Sequence, residues 1–317
     1  MFFKNELLKS PKISLIITYY NLSKFIKDCV SSILAQEYQN FEIIIVNDNS
    51  DEDNSKVLKE FDSEKIKIIN LTENKGQLGA FFEGLKVAQG EFVCMIDADD
   101  VLLPNYLKTL LYVHLNNSYA LVCSSFGEIN ENNEITSIAN QKQQKVDYKE
   151  IENLFNLKEN FAIKKVKTPF ALWAWKPSTS GMFRKSALDI LKFYPDVNYW
   201  KTGADKVLFS FLDLVGSSCV IDSICYLYRH HSENNSQTTL LTGDKKYLNE
   251  KYVDKLINWN KKIRLDAIKM FVENKKELVE KYNKINYLRM FLKIIFCINI
   301  KVCAKIIKTF AHRLIKF

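Results

Sequence analysis

Asp97-Ala98-Asp99-Asp100 follows directly on the run Glu91-Phe92-Val93-Cys94-Met95-Ile96. Near-continuous apolar runs of this length read as strands buried on both faces, the kind a parallel sheet uses. Carboxylates at the carboxyl end of such a strand sit where open α/β sheets bind ligands. Crowded acids repel one another unless a cation separates them, and oxygen ligands suit Mn²⁺ or Mg²⁺. One reading is therefore a divalent metal holding a phosphate-bearing substrate. The other is a solvated acidic turn before a helix with Pro104 near its start.

The elements that must position these acids follow from the hydrophobic pattern. Ile13-Ser14-Leu15-Ile16-Ile17-Thr18 is a first strand, and Tyr19-Tyr20-Asn21 turns out of it. Phe25, Ile26, Cys29, Val30, Ile33 and Leu34 recur at helical spacing. Phe41 to Val46 is a second strand, running into a polar turn, Asn47 to Asp53, rich in residues that cap helices. Lys65 to Leu71 is a third strand, Gln77 to Gln89 a helix closed by Gly90, Pro104 to Leu115 another helix, and Tyr119 to Phe126 a further strand. Strands alternating with helices predict an α/β fold, a Rossmann-like, mostly parallel sheet flanked by helices. Right-handed crossovers then place the loops after Thr18, Val46 and Ile96 along one edge, bringing together Tyr20, Asp48, Asp97 and Asp99.

The rest of the chain is less regular. Gly127 to Lys167 is polar and reads as a surface insertion with one short helix near Ile151–Leu157. Trp173 and Trp175 lie in a proline-bounded aromatic stretch, suited either to a sugar platform or to plain packing. Met182-Phe183 reads as a strand with a helix from Ser186, and Thr202-Gly203-Ala204-Asp205 leads into a helical pattern through Leu212. Cys219 to Tyr228 is a strand ending in Arg229-His230-His231. Tyr247 to Tyr282 is helical, and from Lys284 to Phe317 there is no acidic residue. There Leu288, Phe291, Leu292 and their apolar neighbours interleave with Lys284, Arg289 and Lys293. Such a segment suits an anionic membrane surface, apolar face down. It also suits a helix packed on the domain with a basic face in water.

Composition narrows the class. The 317 residues are 47% hydrophobic and 26% charged, enough for a sizeable core and a smaller second lobe. A net charge of +8 points to an anionic partner such as a nucleotide, nucleic acid or membrane surface. Seven cysteines, scattered and without a CxxC pair, fit reduced thiols in a cytosolic compartment. The first twelve residues carry Lys4, Glu6 and Lys9 and no long apolar core, so no secretory signal is expected there. No stretch approaches about 18 uncharged apolar residues, so no transmembrane span is expected.

Together these stretches resemble the family 2 glycosyltransferases of the GT-A fold. The resemblance rests on Ile16-Ile17-Thr18-Tyr19-Tyr20-Asn21, Ile44-Ile45-Val46-Asn47-Asp48-Asn49-Ser50-Asp51, Asn74-Lys75-Gly76, Gly84, Ala88-Gln89-Gly90-Glu91-Phe92 and Asp97-Ala98-Asp99-Asp100. It runs on more loosely through Gly181 to Leu188, Gly203-Ala204-Asp205 and Tyr228-Arg229-His230-His231 and fades after Ser236. It implies a catalytic domain over 1–236, with a nucleotide-binding half at about 11–126 and an acceptor half at about 165–236. A helical C-terminal region would follow over 237–317, its basic part 284–317 associating with membrane.

The resemblance implies an inverting hexosyltransferase acting on a nucleotide sugar, a UDP-sugar, and on a glycan acceptor that is lipid-linked or lipid-anchored. Thr18, Tyr20 and Asp48 would hold uracil and ribose, Asp97 would face the ribose, and Asp99 would bind the metal, Mn²⁺ or Mg²⁺. Asp205 matches the family's general base, and His231 a histidine that helps hold the metal–diphosphate, with His230 beside it as an alternative. Many relatives carry Ala-Arg-Asn where this chain has Ala80-Phe81-Phe82, so Lys75 or Arg229 would supply the missing charge. Helix-capping roles remain open for Asp48 and Asp205, and Asp100 is expected to cap the helix after it. The chain would work at the inner face of the cytoplasmic membrane. A catalytically inactive sugar-nucleotide-binding subunit is the alternative. Nucleic acid is not expected as a partner, because the cations concentrate in an apolar segment.

Overall fold

A computed structural model of the chain describes residues 10–138, 161–166, 177–232 and 250–296. Three adjacent strands form its centre: β1 (Ile13–Tyr19), β2 (Phe41–Asn47) and β4 (Phe92–Asp97), with β3 (Ile66–Asn70) between the last two in sequence. Helices α1 (Ile26–Leu34), α2 (Glu52–Lys56) and α3 (Gly76–Val87) connect them. The crossovers leave β3, β2, β1 and β4 adjacent in that order and all parallel.

Alternation along each strand builds two apolar layers. Leu15 and Ile17, Ile43 and Ile45, and Cys94 and Ile96 face α1 and α4 (Tyr106–Asn116). Ile16, Ile44 and Val46, Val93 and Met95 face α3 and α6 (Ala204–Val215). Both faces are covered, so the strands carry no polar face.

The second half is woven into this sheet rather than laid beside it. β6 (Tyr119–Asn130) does not pair with β4. The short β9 (Gly181–Arg184) lies between them, antiparallel to both, with Met182 opposite Cys94 and Val122. The small helix α5 (Lys185–Leu188) follows it. β10 (Ser217–His230) runs parallel to β6, and β5 (Val101–Leu102) caps it antiparallel through Tyr226 and Leu227.

Residues 127–138 depart from the expected polar insertion. β6 continues to Asn130, turns, and returns as β7 (Ile135–Ile138), while β8 (Ile163–Lys165) joins β10. Ile129 and Ile135 are buried there with Val101, Leu103 and Leu227, an anchor too sparse in sequence to reveal a hairpin. The helix expected near 151–157, together with Trp173 and Trp175, lies outside the described residues.

After residue 250 come α7 (Glu250–Glu273) and α8 (Lys275–Phe296). Ile263, Ala267, Met270 and Phe271 of α7, and Tyr287, Met290, Phe291 and Ile294 of α8, join the same apolar cluster as α6.

His114 closes α4 against β9: its Nε2–H donates to the Met182 carbonyl at 2.9 Å. Burial first, then the Arg184 charge, lower its pKa from 6.5 to about 4. The unfolded chain therefore binds this proton more readily than the folded one, and stability present above about pH 6.5 is lost as pH falls toward 4. We expect urea unfolding to show a loss of about 2 kcal/mol from this group between about pH 7 and pH 5. A His114→Gln variant, compared with itself at the two pH values, should lack it.

Candidate active site

Register places the residues of interest at one sheet edge. Thr18 lies opposite Val46 on one side and Asp97 on the other, so the chains leaving β1, β2 and β4 depart side by side. Asn21, at φ +53°, ties the first two loops together. Its N–H donates to Ser50 Oγ, and its side-chain oxygen accepts from Asp51 N–H. Tyr20 stands beside this knot with half its surface exposed, an aromatic face open to a ligand.

Asp48 is buried, and its two oxygens accept N–H groups from Lys75 at 2.7 Å and Gly76 at 2.8 Å. Burial raises its pKa; these two donors and the Lys201 and Lys75 charges oppose that. Asp48 thus fixes the N-terminus of α3, and the cap of α2 is instead Asp51, which accepts from Asn54 N–H. Gly76 has φ +78°, and a Cβ there would sit 2.8 Å from the Trp200 carbonyl oxygen. Turn geometry and crowding both require glycine at this position. Lys75 Nζ pairs with Glu83 at 2.8 Å.

The acids after β4 take three different positions. Asp97 Oδ1 accepts from Gln77 Nε2 at 2.8 Å, and its N–H donates to Thr179 Oγ1. Burial, then the charges of Asp99 and Asp205, push its carboxyl up to about 8. Asp99 Oδ2 lies 2.9 Å from His231 Nε2, and the imidazole packs on the Phe25 ring. His230 points away, toward Glu128 at 3.6 Å, so His231 is the histidine at the acidic cluster.

Asp100 does not cap α4: it is fully buried, and its Oδ1 accepts the Arg229 N–H. Arg229 does not face a phosphate either. Its guanidinium is wholly buried over the Phe25 ring and donates to the Asp99 carbonyl, to Asn133 Oδ1 and to Asp28 Oδ2.

No group of three or more His, Cys, Asp or Glu suited to holding a metal occurs among the described residues. Asp99 and His231 nonetheless fit a divalent cation. Magnesium-type sites use one or two carboxylates and take their remaining ligands from substrate phosphates and water, and imidazole suits manganese.

Asp205 sits in the first turn of α6, nearly buried and paired with Lys206 Nζ. The turn that presents it is unusual. Gly203 has φ +78°, and its Cβ position lies 2.8 Å from the Trp259 ring of α7, so any side chain would displace that ring.

Gln77, which the motifs do not single out, completes the site. Its Oε1 accepts the Ala204 N–H at 3.1 Å while its Nε2 holds Asp97. One amide thus spans from the acidic cluster to the helix that carries Asp205. The signal for it is a polar residue at the head of a helix that otherwise buries Leu78, Ala80 and Phe81. Thr179 is a second such residue, fixed by the Tyr106 hydroxyl, which donates to its carbonyl.

The sequence profile of glycosyl transferase family 2 matches residues 14–176. The chain belongs to that family. An uncharacterized glycosyltransferase of Nostoc sp. is 30% identical over 228 residues, 71% of this family 2 chain and 66% of that protein. The Escherichia coli protein WfgD, named as a UDP-Glc:alpha-D-GlcNAc-diphosphoundecaprenol beta-1,3-glucosyltransferase, is 31% identical over 120 residues, 38% of this chain and 47% of WfgD. The chain therefore spans less than two thirds of either relative's length. Among solved structures, residues 1–349 of Staphylococcus aureus TarS with UDP-GlcNAc align with a TM-score of 0.57 at 15% identity. That alignment covers 92% of this chain and 82% of the TarS chain, and shows a shared GT-A fold.

Proposed function

We propose that the chain transfers a sugar, with inversion at the anomeric carbon, from a UDP-sugar to a hydroxyl of a lipid-linked or lipid-anchored glycan. The observation that carries this reading is the Gln77 amide, which holds Asp97 through its Nε2 and the first turn of the Asp205 helix through its Oε1, so that the strand-end acids and a second carboxylate share one site. Inversion needs a base on the far side of the reacting carbon from the departing diphosphate. Asp205, on a helix separate from the acid cluster at the strand ends, is the carboxylate this reading assigns to that need. WfgD, by its name, uses a UDP-sugar and a diphosphoundecaprenol acceptor, and TarS binds UDP-GlcNAc; both support the choice of donor class.

In this reading Thr18 and the Tyr20 ring receive the uracil and ribose, and Asp48 shapes that end by holding the head of α3. Asp97, kept in place by Gln77 and Thr179, meets the ribose. The acceptor hydroxyl attacks the anomeric carbon, Asp205 takes its proton, and the carbon–oxygen bond to UDP breaks with its electron pair leaving on the diphosphate. Manganese or magnesium held by Asp99 and His231 would supply positive charge to the departing diphosphate. Lys201 and Lys75, whose charges reach Asp48, add positive potential at the nucleotide end. No helix among the described residues is long and apolar enough to cross a membrane. The reading places the enzyme on the inner face of the cytoplasmic membrane by surface contact.

The test is a screen of UDP-sugars for transfer and for metal-dependent hydrolysis. One sugar should be consumed, EDTA should lower the rate by at least about tenfold, and manganese should restore it. Turnover undiminished by EDTA would remove the metal role from Asp99 and His231. A chain that neither binds nor consumes any UDP-sugar would overturn the whole reading.

A further inference from the structure

Helix α8 is interrupted at Asn283, which takes φ +61°. The Asn283 side-chain oxygen accepts the Asn286 N–H at 3.0 Å, so the last helical segment, 284–296, starts afresh with its own cap. The interruption coincides with the end of the acidic residues: 284–317 contains no Asp or Glu.

The segment has two apolar stripes. Tyr287, Met290, Phe291 and Ile294 are buried in the core beside α6 and α7, and the Tyr287 hydroxyl donates to the Phe271 carbonyl. Their spacing is that of one helix face. Ile285, Leu288 and Leu292 repeat the spacing on the other side and are exposed, at 66%, 37% and 47%. Packing against the domain requires only the first stripe. A helix apolar on both sides in an otherwise solvated setting needs a second apolar neighbour. Lys284 and Arg289, both exposed, flank the outer stripe, while Lys293 donates to the Asp213 carbonyl and helps hold the inner face down.

We propose that Ile285, Leu288 and Leu292 enter the boundary of an anionic bilayer, with Lys284 and Arg289 at headgroup level. The membrane half of the proposed function rests on this surface, which narrows the contact to one helix face. Charge selects the occupant: a second copy of the chain would bring two cationic stripes together, whereas an anionic lipid surface complements them. Phe291, which the sequence pattern assigns to the same lipid-facing set, belongs to the core instead.

The experiment is flotation of the full chain with vesicles of phosphatidylcholine, alone or with about 30% phosphatidylglycerol. Wild type should float with the anionic vesicles only. Ile285→Gln, Leu288→Gln and Leu292→Gln together should reduce the bound fraction about tenfold. Lys284→Glu with Arg289→Glu should reduce it by more, since each cation near such a surface is worth roughly fivefold. Hydrolysis of UDP-sugar should be unchanged in both variants, which shows the fold and site intact. Equal flotation of the triple variant and wild type would assign the contact to residues 297–317 and overturn the proposal. So would a wild-type dimer in light scattering that the triple variant dissociates. A chain that floats as expected yet consumes no UDP-sugar would sink the reading of the active site and leave this surface standing.

Discussion

Asp205→Asn is expected to lower kcat for sugar transfer by about 10²–10⁴-fold, with nucleotide affinity nearly unchanged. The substitution keeps size and shape at a nearly buried position in the first turn of α6, so the helix and its Gly203 turn survive. What it removes is the carboxylate proposed to accept the acceptor hydroxyl's proton. A loss confined to kcat, with the KM for donor held, identifies an interaction made in the transition state. Full activity in the variant would take Asp205 out of its role. Gln77→Leu offers a contrast: it leaves Asp205 intact but releases Asp97 Oδ1 and the Ala204 N–H, so its defect should include a higher donor KM.

The second large effect is on stability. Arg229→Met should cost about 3 kcal/mol, read from urea unfolding, and a lysine there should recover little of it. The guanidinium joins α1 through Asp28, the β6–β7 turn through Asn133, and the acidic loop through the Asp99 carbonyl. Asp28 is half exposed and can turn to water when its partner goes, which keeps the cost near the lower end for broken ion pairs. The Asp99 carbonyl loses its Nε–H donor at the same time. Because that carbonyl belongs to the residue meeting His231, metal-dependent hydrolysis should weaken in the same variant at temperatures where it remains folded. Unchanged unfolding would show that the buried charge contributes no net stability.

Much of this was legible in the residues. The strands before Thr18, Val46 and Ile96 are nearly continuous apolar runs, and the structure bounds them within a residue of where the runs end. Their adjacency follows from crossover handedness, and the register puts Thr18 between Val46 and Asp97. Strand order beyond β4 was not legible. A four-residue strand such as β9 has no periodicity of its own, and nothing local says that it inserts between two longer ones. Arg229 shows a different limit. Residue type suggests a phosphate fork, but its partners Asp28 and Asn133 lie 201 and 96 residues away, and only the fold reveals that they have claimed it. Gln77 belongs to no motif, because a single amide joining a side chain on one element to the backbone of another leaves no pattern in the sequence.

The insertion of β9 also shapes how the chain is made. While the first 126 residues emerge from the ribosome, β4 has no partner on the side away from β1. A strand with open N–H and C=O groups readily pairs with other chains. That edge closes only when residues 181–184 arrive, more than eighty residues after β4 ends. Contacts between segments so far apart form slowly. Synthesis therefore passes through a period in which β1 to β4 are complete but the sheet cannot be sealed, and a pause or truncation before residue 181 would leave an aggregation-prone edge rather than a smaller working domain.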